Sequence, residues 1–498
     1  MVLTKARPTP TNFSPGELPV IIPLLKTLEK GKEAAMAPSK PNLLFIMTDH
    51  QRADSLGMRQ AGIDVTPNLN RLAEDGTNFS RAYNTCPLCV PARTALATGK
   101  YPTKNGVVTN DWKGETAGDH TTLHELLHRA GYRVGHIGVH HIRVAPPIDE
   151  RVEFDRWETG EGYAEYLDAS GVSHPPGDIY DFKKEIAENQ AGERTMQYYS
   201  NTETATWPGD AGNFKDLYWC RQAAEFLRKQ DDRPFALFLY LWAPHPPLWV
   251  PEPYASLFAP DEIELPPNVG CPAEGEPAAY RRGVPAQLAD GVSIEQWRRV
   301  WAAHLGLVHM ADHGIGSVLD TLQETGNREN TLVLFTVDHG EHLGQHRMYQ
   351  KMEMYEQAIR VPLVLAGPGI GSGAVDVPVS HLDIMPSLLD LFDLETPDDL
   401  DGLSLTDTLC KGTAPPARPV FSLYSGNPVR GDTRRCVITE RFKYVWVPGD
   451  GRELYDLEAD PLEMENLAVS PAHRDLVQRL HAQCRRWGEE HSDPVFGE

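Results

Sequence analysis

The sequence predicts an α/β protein: a large mixed, mostly parallel sheet sandwiched by helices, followed by a smaller C-terminal α+β domain. Two observations carry the first part. Continuous apolar runs of strand length recur along the chain, and helical signals lie between them. A third carries the second part, because the tail changes to short alternating segments.

Residues 1–38 are rich in Pro and charge and read as an N-terminal extension outside the core. Asn42–Thr48 carries a continuous apolar run, bounded by Pro41 and Asp49, as in a strand buried on both faces. Residues 236–241, 331–337 and 361–366 repeat the pattern. Residues 121–130 read as a helix. So do residues 302–325, where apolar positions recur every three or four residues and Gly326 supplies a stop. Residues 145–220, rich in Asp, Glu, Gly, Tyr and Trp, and residues 249–295, rich in Pro and Gly, read as excursions from the sheet, where specificity is usually built. Residues 436–446 read as an antiparallel pair and 453–457 as a further strand. The domains expected are 39–385, catalytic, and 386–498, smaller.

With 498 residues, 41% of them apolar, the chain can bury a substantial core. Its 47 basic and 70 acidic residues leave a net charge of −23, which argues against nucleic acid or an anionic membrane as partner. A small anionic substrate stays compatible, since a pocket can be positive inside a negative surface. No apolar run approaches the roughly 20 residues of a membrane span. The N-terminus lacks the compact apolar core of a secretory signal, so a cytoplasmic location is expected. Seven Cys in this length make no disulfide scaffold.

The chemistry concentrates at strand ends. Asp49 and His50 follow the first strand; Asp338 and His339 follow another and precede Gly340. Functional residues of open α/β sheets lie beyond the carboxyl ends of the strands. Carboxylate with imidazole suits calcium, magnesium or manganese. Two ordinary post-strand Asp caps are the plain alternative. Cys86 and Cys89 have the spacing of a redox pair or half a zinc site, but no second such pair exists. His339, His342 and His346 do not match the zinc-peptidase pattern, and the glycines among them argue against a helix.

Cys89-Val90-Pro91-Ala92-Arg93, followed by Ala97-Thr98-Gly99, resembles the signature of type I, formylglycine-dependent sulfatases of the alkaline phosphatase superfamily. The resemblance extends in order through Gln51–Asp54, Thr66-Pro67-Asn68-Leu69, the region up to His141, Asp338-His339-Gly340-Glu341, Lys351 to Pro362, His381 to Pro386, and Tyr455 to Leu467. It implies that Cys89 is oxidised to formylglycine by a formylglycine-generating enzyme. The hydrated aldehyde would then attack sulfur and form a covalent sulfate ester. It implies one divalent metal ion, calcium first, with manganese or magnesium as alternatives, held by Asp49, Cys89, Asp338 and His339. Arg93 would support the nucleophile, and His141, His245 and Lys351 would line the site, with His245 at the leaving group. Asn110 resembles a polar residue of phosphonate monoester hydrolases. A dimer or tetramer is expected by the same resemblance.

Three positions depart from the pattern. His50 stands where many members have a second Asp, His339 where many have Asn, and Val139 where the usual motif has Lys. His50 either fills a ligand position or borders it. His140 and Arg143 are the candidates to replace the missing cation. The activity expected is hydrolysis of sulfate monoesters, aryl sulfates included. The alternative is hydrolysis of phosphonate monoesters and phosphodiesters, which also carry one negative charge. A binding protein that kept the scaffold is a further alternative, disfavoured because Cys89, Asp49, Asp338, His339, His245 and Lys351 are all present.

Overall fold

A computed structural model describes residues 40–171, 179–190, 192–229 and 231–497. The extension expected at 1–38 lies outside the described residues. The main sheet has nine strands: β1 (Asn42–Thr48), β2 (Thr77–Tyr83), β3 (Arg133–Gly138), β4 (Arg156–Glu158), β5 (Phe235–Tyr240), β6 (Thr331–Val337), β7 (Arg360–Ala366), β8 (Gly373–Val375) and β9 (Val379–Ser380). Their order is β8-β2-β7-β6-β1-β5-β3-β4, with β9 on β2. β6, β1, β5, β3 and β4 run parallel, and β7 is antiparallel to both of its neighbours. Every residue of β1, β5 and β6 is buried, which is why these strands read as unbroken apolar runs rather than as alternation.

The register fixes the site. Thr48 pairs with Val337 and Met47 with Tyr240. The residues that follow, Asp49 and Asp338, therefore leave the sheet side by side at its carboxyl edge. Their backbone N–H groups continue the ladder, Asp49 to the Ala243 carbonyl and Asp338 to that of Thr48.

The helices that matter here are α1 (Cys89–Thr98), α2 (Leu123–Arg129), α3 (Lys215–Arg228), α4 (Ile294–Glu324) and α5 (Arg474–Glu490). α2 opens on a capping box, with Thr122 accepting from the Glu125 N–H and the Glu125 side chain accepting from the Thr122 N–H. α4 begins eight residues before the sequence estimate. Ser293 caps it, and Trp297, Val300 and Trp301 already lie on its buried face, although Arg298 and Arg299 interrupt the apolar pattern.

The C-terminal domain is β-rich. Its antiparallel sheet orders β10 (Val420–Tyr424), β11 (Arg434–Ile438), β12 (Phe442–Val447) and β13 (Gly451–Asp456) consecutively, and α5 packs against it. β10 escapes the sequence reading. The boundary expected at 385 falls inside a helix, Ile384–Leu391, well before this sheet begins.

Candidate active site

α1 brings position 89 to the sheet edge. All ten of its residues are buried, and Cys89 is the first of them. A helix N-terminus carries partial positive charge and free N–H groups, a favourable place for an anion. The Asn110 side chain accepts from the Val90 N–H at 3.1 Å and so caps this end. Asn110→Ala is expected to cost about 1 kcal/mol of stability and to lower activity by loosening the first turn. Denaturant unfolding beside rate measurement checks this, and an unchanged unfolding midpoint would rule out the cap.

Asp49, His50, Cys89 and His339 are all buried, and each places a ligand atom within 4.8 Å of the others'. His339 Nε2 lies 3.2 Å from Cys89 Sγ, and Asp49 Oδ1 lies 3.9 Å from it. The other nitrogen of His339, Nδ1, donates to the Gly340 carbonyl at 3.2 Å, which leaves Nε2 with its lone pair facing the cluster. Burial, above all, pulls the imidazole of His339 down to about 3, so it is neutral, as a ligand must be.

Arg93 joins the two carboxylates. Its Nη2 donates to Asp49 Oδ2 and its Nε to Asp338 Oδ2, each at 2.8 Å. Its Nη1 donates to the Val139 carbonyl. That carbonyl is placed by Gly138, whose φ is +103° and where a Cβ would sit 1.8 Å from the Tyr240 carbonyl oxygen, so only Gly fits. Arg93 is thus committed to the carboxylates, and its support for position 89 runs through Asp49. Burial and Asp338 push the Asp49 carboxyl up, while on Asp338 burial also pushes up but Arg93, His339 and Lys351 together outweigh it and hold the carboxyl low.

Lys351 Nζ donates to Cys89 Sγ at 3.0 Å and to His50 Nε2 at 2.5 Å. His50 Nδ1 is hydrogen-bonded to Glu341 Oε2 at 2.7 Å. His50 thus belongs to the cluster with both ring nitrogens partnered, Nε2 by Lys351 and Nδ1 by Glu341. His50 holds this place with φ +66°, a strained backbone for a residue with a Cβ. Burial and Asp49 push the Cys89 thiol up to about 12, against the pull of Lys351.

The other expected residues divide. His245 lies tilted against Trp242 with centroids 3.9 Å apart and meets the His50 ring at 4.4 Å. His141 lies against Trp112 and Trp242, and its buried Nδ1 has no partner among the described residues. His140 packs on Trp157, and its Nδ1 accepts from the Ile142 N–H. Arg143 Nε donates to the Glu115 carbonyl. Neither shows a contact with the cluster. Sequence reasoning passed over Glu341, Lys215 and Trp242. Glu341 was visible within Asp338-His339-Gly340-Glu341; Lys215, at the start of a helix in an excursion, gave no signal.

The donor set fits a divalent cation. One buried carboxylate, Asp49, and a neutral imidazole with its lone pair turned inward, His339, converge on position 89; the second carboxylate, Asp338, stands outside that group, bonded to Arg93 and 3.6 Å from His339 Nε2. When both are ionised, Asp49 and Asp338 balance Arg93 and Lys351. A divalent cation would give the site the positive charge that an anionic ester requires.

The sulfatase family model matches residues 41–394, and a model of the C-terminal region of N-sulphoglucosamine sulphohydrolase matches residues 344–490. A choline-sulfatase of Rhizobium meliloti is 30% identical, covering 88% of this chain and 84% of its own. An arylsulfatase of Clostridium perfringens is 29% identical, covering 89% and 93%. A phosphonate monoester hydrolase from Silicibacter pomeroyi shares the fold, with a TM-score of 0.74 at 24% identity over 92% of this chain and 97% of that one. Signature, strand-end residues and family match agree: the chain belongs to the sulfatase family, hydrolases of sulfate and related esters in the alkaline phosphatase superfamily.

Proposed function

We propose that the chain hydrolyses sulfate monoesters, with residue 89 oxidised to formylglycine as the nucleophile and one divalent cation, calcium before manganese or magnesium, held by Asp49, residue 89, Asp338 and His339. The observation that carries this reading is the convergence of Asp49, His50, Cys89 and His339 within 4.8 Å at the first turn of α1, with Lys351 on Sγ. When present, the cation and the hydrated aldehyde supply Lewis acidity and a nucleophilic oxygen.

The remaining work falls to side chains of the chain itself. Asp49, braced by Arg93, orients position 89. Lys351 places a positive charge beside it and offsets the charge of the ester. His245 serves the leaving oxygen. In the free protein burial and Lys351 keep its imidazole neutral, and its Nδ1 donates to the Pro246 carbonyl. An entering anion favours the imidazolium, and Nε2 then carries the proton that the departing alkoxide takes. The maturing enzyme that oxidises Cys89 completes this reading.

Asp49→Asn is expected to lower bound metal and turnover together, by roughly a hundredfold in rate. Metal analysis alongside kinetics checks it; full metal content with full rate would remove Asp49 from the ligand set. Mass spectrometry of the Cys89 peptide, after coexpression with a formylglycine-generating enzyme, tests the nucleophile. A peptide that keeps its thiol throughout an active preparation would sink it.

A second reading has one observation in its favour. Val139 offers the site only its carbonyl, so Arg93 and Lys351 are the cations bonded within the cluster. That suits a singly charged ester, and phosphonate monoesters and phosphodiesters qualify as well as sulfate monoesters. Rates on an aryl sulfate, a phosphonate monoester and a phosphodiester, measured on one metal-replete preparation, rank the two.

A further inference from the structure

Beside His245 the site adjoins a cavity of about 210 Å³. Tyr163, Trp207, Phe214, Trp242 and Trp249 form much of its wall, and Lys215 is the charged residue that lines it. His245 belongs to both places, since its ring meets His50 on one side and Trp242 on the other. An ester with its sulfur at position 89 therefore points its alcohol half toward this cavity.

Lys215 opens α3, and its Nζ lies 4.0 Å from the centroid of the Trp242 ring. Among the described residues no carboxylate comes within ion-pair distance of it. The neighbouring Asp216 acts on Lys215 through its charge but makes no ion pair with it; its Oδ1 accepts from the backbone N–H groups of Trp242 at 2.6 Å and Ala243 at 2.9 Å, and its Oδ2 has no hydrogen-bond partner among the described residues. The buried indole N–H of Trp249 also lacks a partner among the described residues. Burial pulls Lys215 down to about 8, which leaves it protonated at neutral pH. The wall thus holds a half-buried cation without an ion pair and a buried donor without an acceptor, in a surface otherwise largely made of rings and aliphatic side chains. Groups of that kind are stable beside apolar surface when a ligand completes them.

We infer that this cavity takes the alcohol half of the ester, and that Lys215 selects an aromatic alcohol bearing an anionic substituent, of the hydroxybenzoate type. The inference rests on the hydrolase reading above. Size supports a single ring: an engineered apolar cavity of about 150 Å³ holds benzene, so this one takes one substituted ring and not a sugar chain. The walls support an aromatic group, because flat rings stack on them and sugar hydroxyls would find few partners. Charge decides the substituent. Three Trp rings would suit a quaternary ammonium, but Lys215 already stands at the Trp242 face and repels a second cation.

The test uses the full chain, as wild type, Lys215→Met and Lys215→Arg, each first shown folded by thermal unfolding. Titration calorimetry with 3-hydroxybenzoate, phenol and tyramine reads the cavity without turnover. The wild type should bind 3-hydroxybenzoate most tightly. Lys215→Met should lose roughly tenfold or more of that affinity, and Lys215→Arg should recover most of it. In parallel, the ratio of kcat/KM for 3-carboxyphenyl sulfate to that for phenyl sulfate should fall by a similar factor in Lys215→Met. Absent binding of 3-hydroxybenzoate, equal binding by wild type and Lys215→Met, or a preference for tyramine overturns the inference. Turnover of phenyl sulfate with unchanged selectivity overturns it and leaves the hydrolase reading standing. Charge-selective binding without turnover of any ester supports the cavity assignment and sinks the hydrolase reading.

Discussion

Replacing Cys89 with Ala should reduce turnover by roughly ten-thousandfold or more and leave the fold standing. The loss is large because everything at the site converges on this one atom. His339 Nε2, Asp49 Oδ1 and Lys351 Nζ all face the sulfur, and Cys89 is the one thiol in the cluster. The fold should survive because α1 does not depend on that sulfur. Its first turn is held by Asn110 at the Val90 N–H and by the Ala92 N–H on the Leu88 carbonyl. Nine further buried residues of the helix stay in place. Ala removes one buried heavy atom, which costs about 1 kcal/mol. Thermal unfolding and rates on the same preparation check both halves. Turnover comparable to wild type, with contamination excluded, would falsify the assignment of the nucleophile.

Why the sequence exposes this residue so clearly follows from the fold. β1 and β6 are buried on both faces, so their apolar runs end abruptly where the chain leaves the sheet. Asp49 and Asp338 stand at those ends. What the sequence does not state is that the two strands are neighbours in register, Thr48 beside Val337. Family resemblance supplied the pairing that periodicity could not. The antiparallel direction of β7 was equally hidden, because a strand buried on both sides looks the same in either direction.

The alcohol side of the site was less legible, for a different reason. Lys215, Trp242 and Trp249 come from a helix start, a post-strand turn and a short strand, brought together by excursions without periodicity. An isolated Lys before Asp216 looks like any solvated charge. Its meaning comes only from the rings around it. The early start of α4 was missed on related grounds: Arg298 and Arg299 break the apolar pattern, while their side chains turn away from the face that Trp297 and Trp301 bury.

The strongest effect on stability is expected from Arg93→Met. Arg93 is 1% exposed, and its guanidinium is the group that separates Asp49 from Asp338. Met fills much of the volume but removes the charge, leaving two buried carboxylates to face each other. Removing one partner of a buried charge network costs about 3–5 kcal/mol, a large share of a total stability of about 5–15 kcal/mol. The sign of the pH dependence separates this from a packing defect. In the wild type Arg93 holds Asp338 below its unfolded value, so that carboxylate stabilises above the usual carboxylate range and loses its contribution as pH falls through about 2. In the variant Asp338 also rises above its unfolded value and joins Asp49, which burial already holds high in the wild type. Each then opposes folding at neutral pH and ceases to do so once protonated. The gap between wild type and variant should therefore narrow from pH 7 to pH 5, and added calcium should narrow it at pH 7 by replacing the lost charge. Arg93→Lys should recover part of the stability but little of the activity, since a single ammonium cannot hold both carboxylates and the Val139 carbonyl in one plane. A gap that stays constant across pH and calcium would assign the whole loss to packing and would leave the two carboxylates without the shared cation site proposed for them.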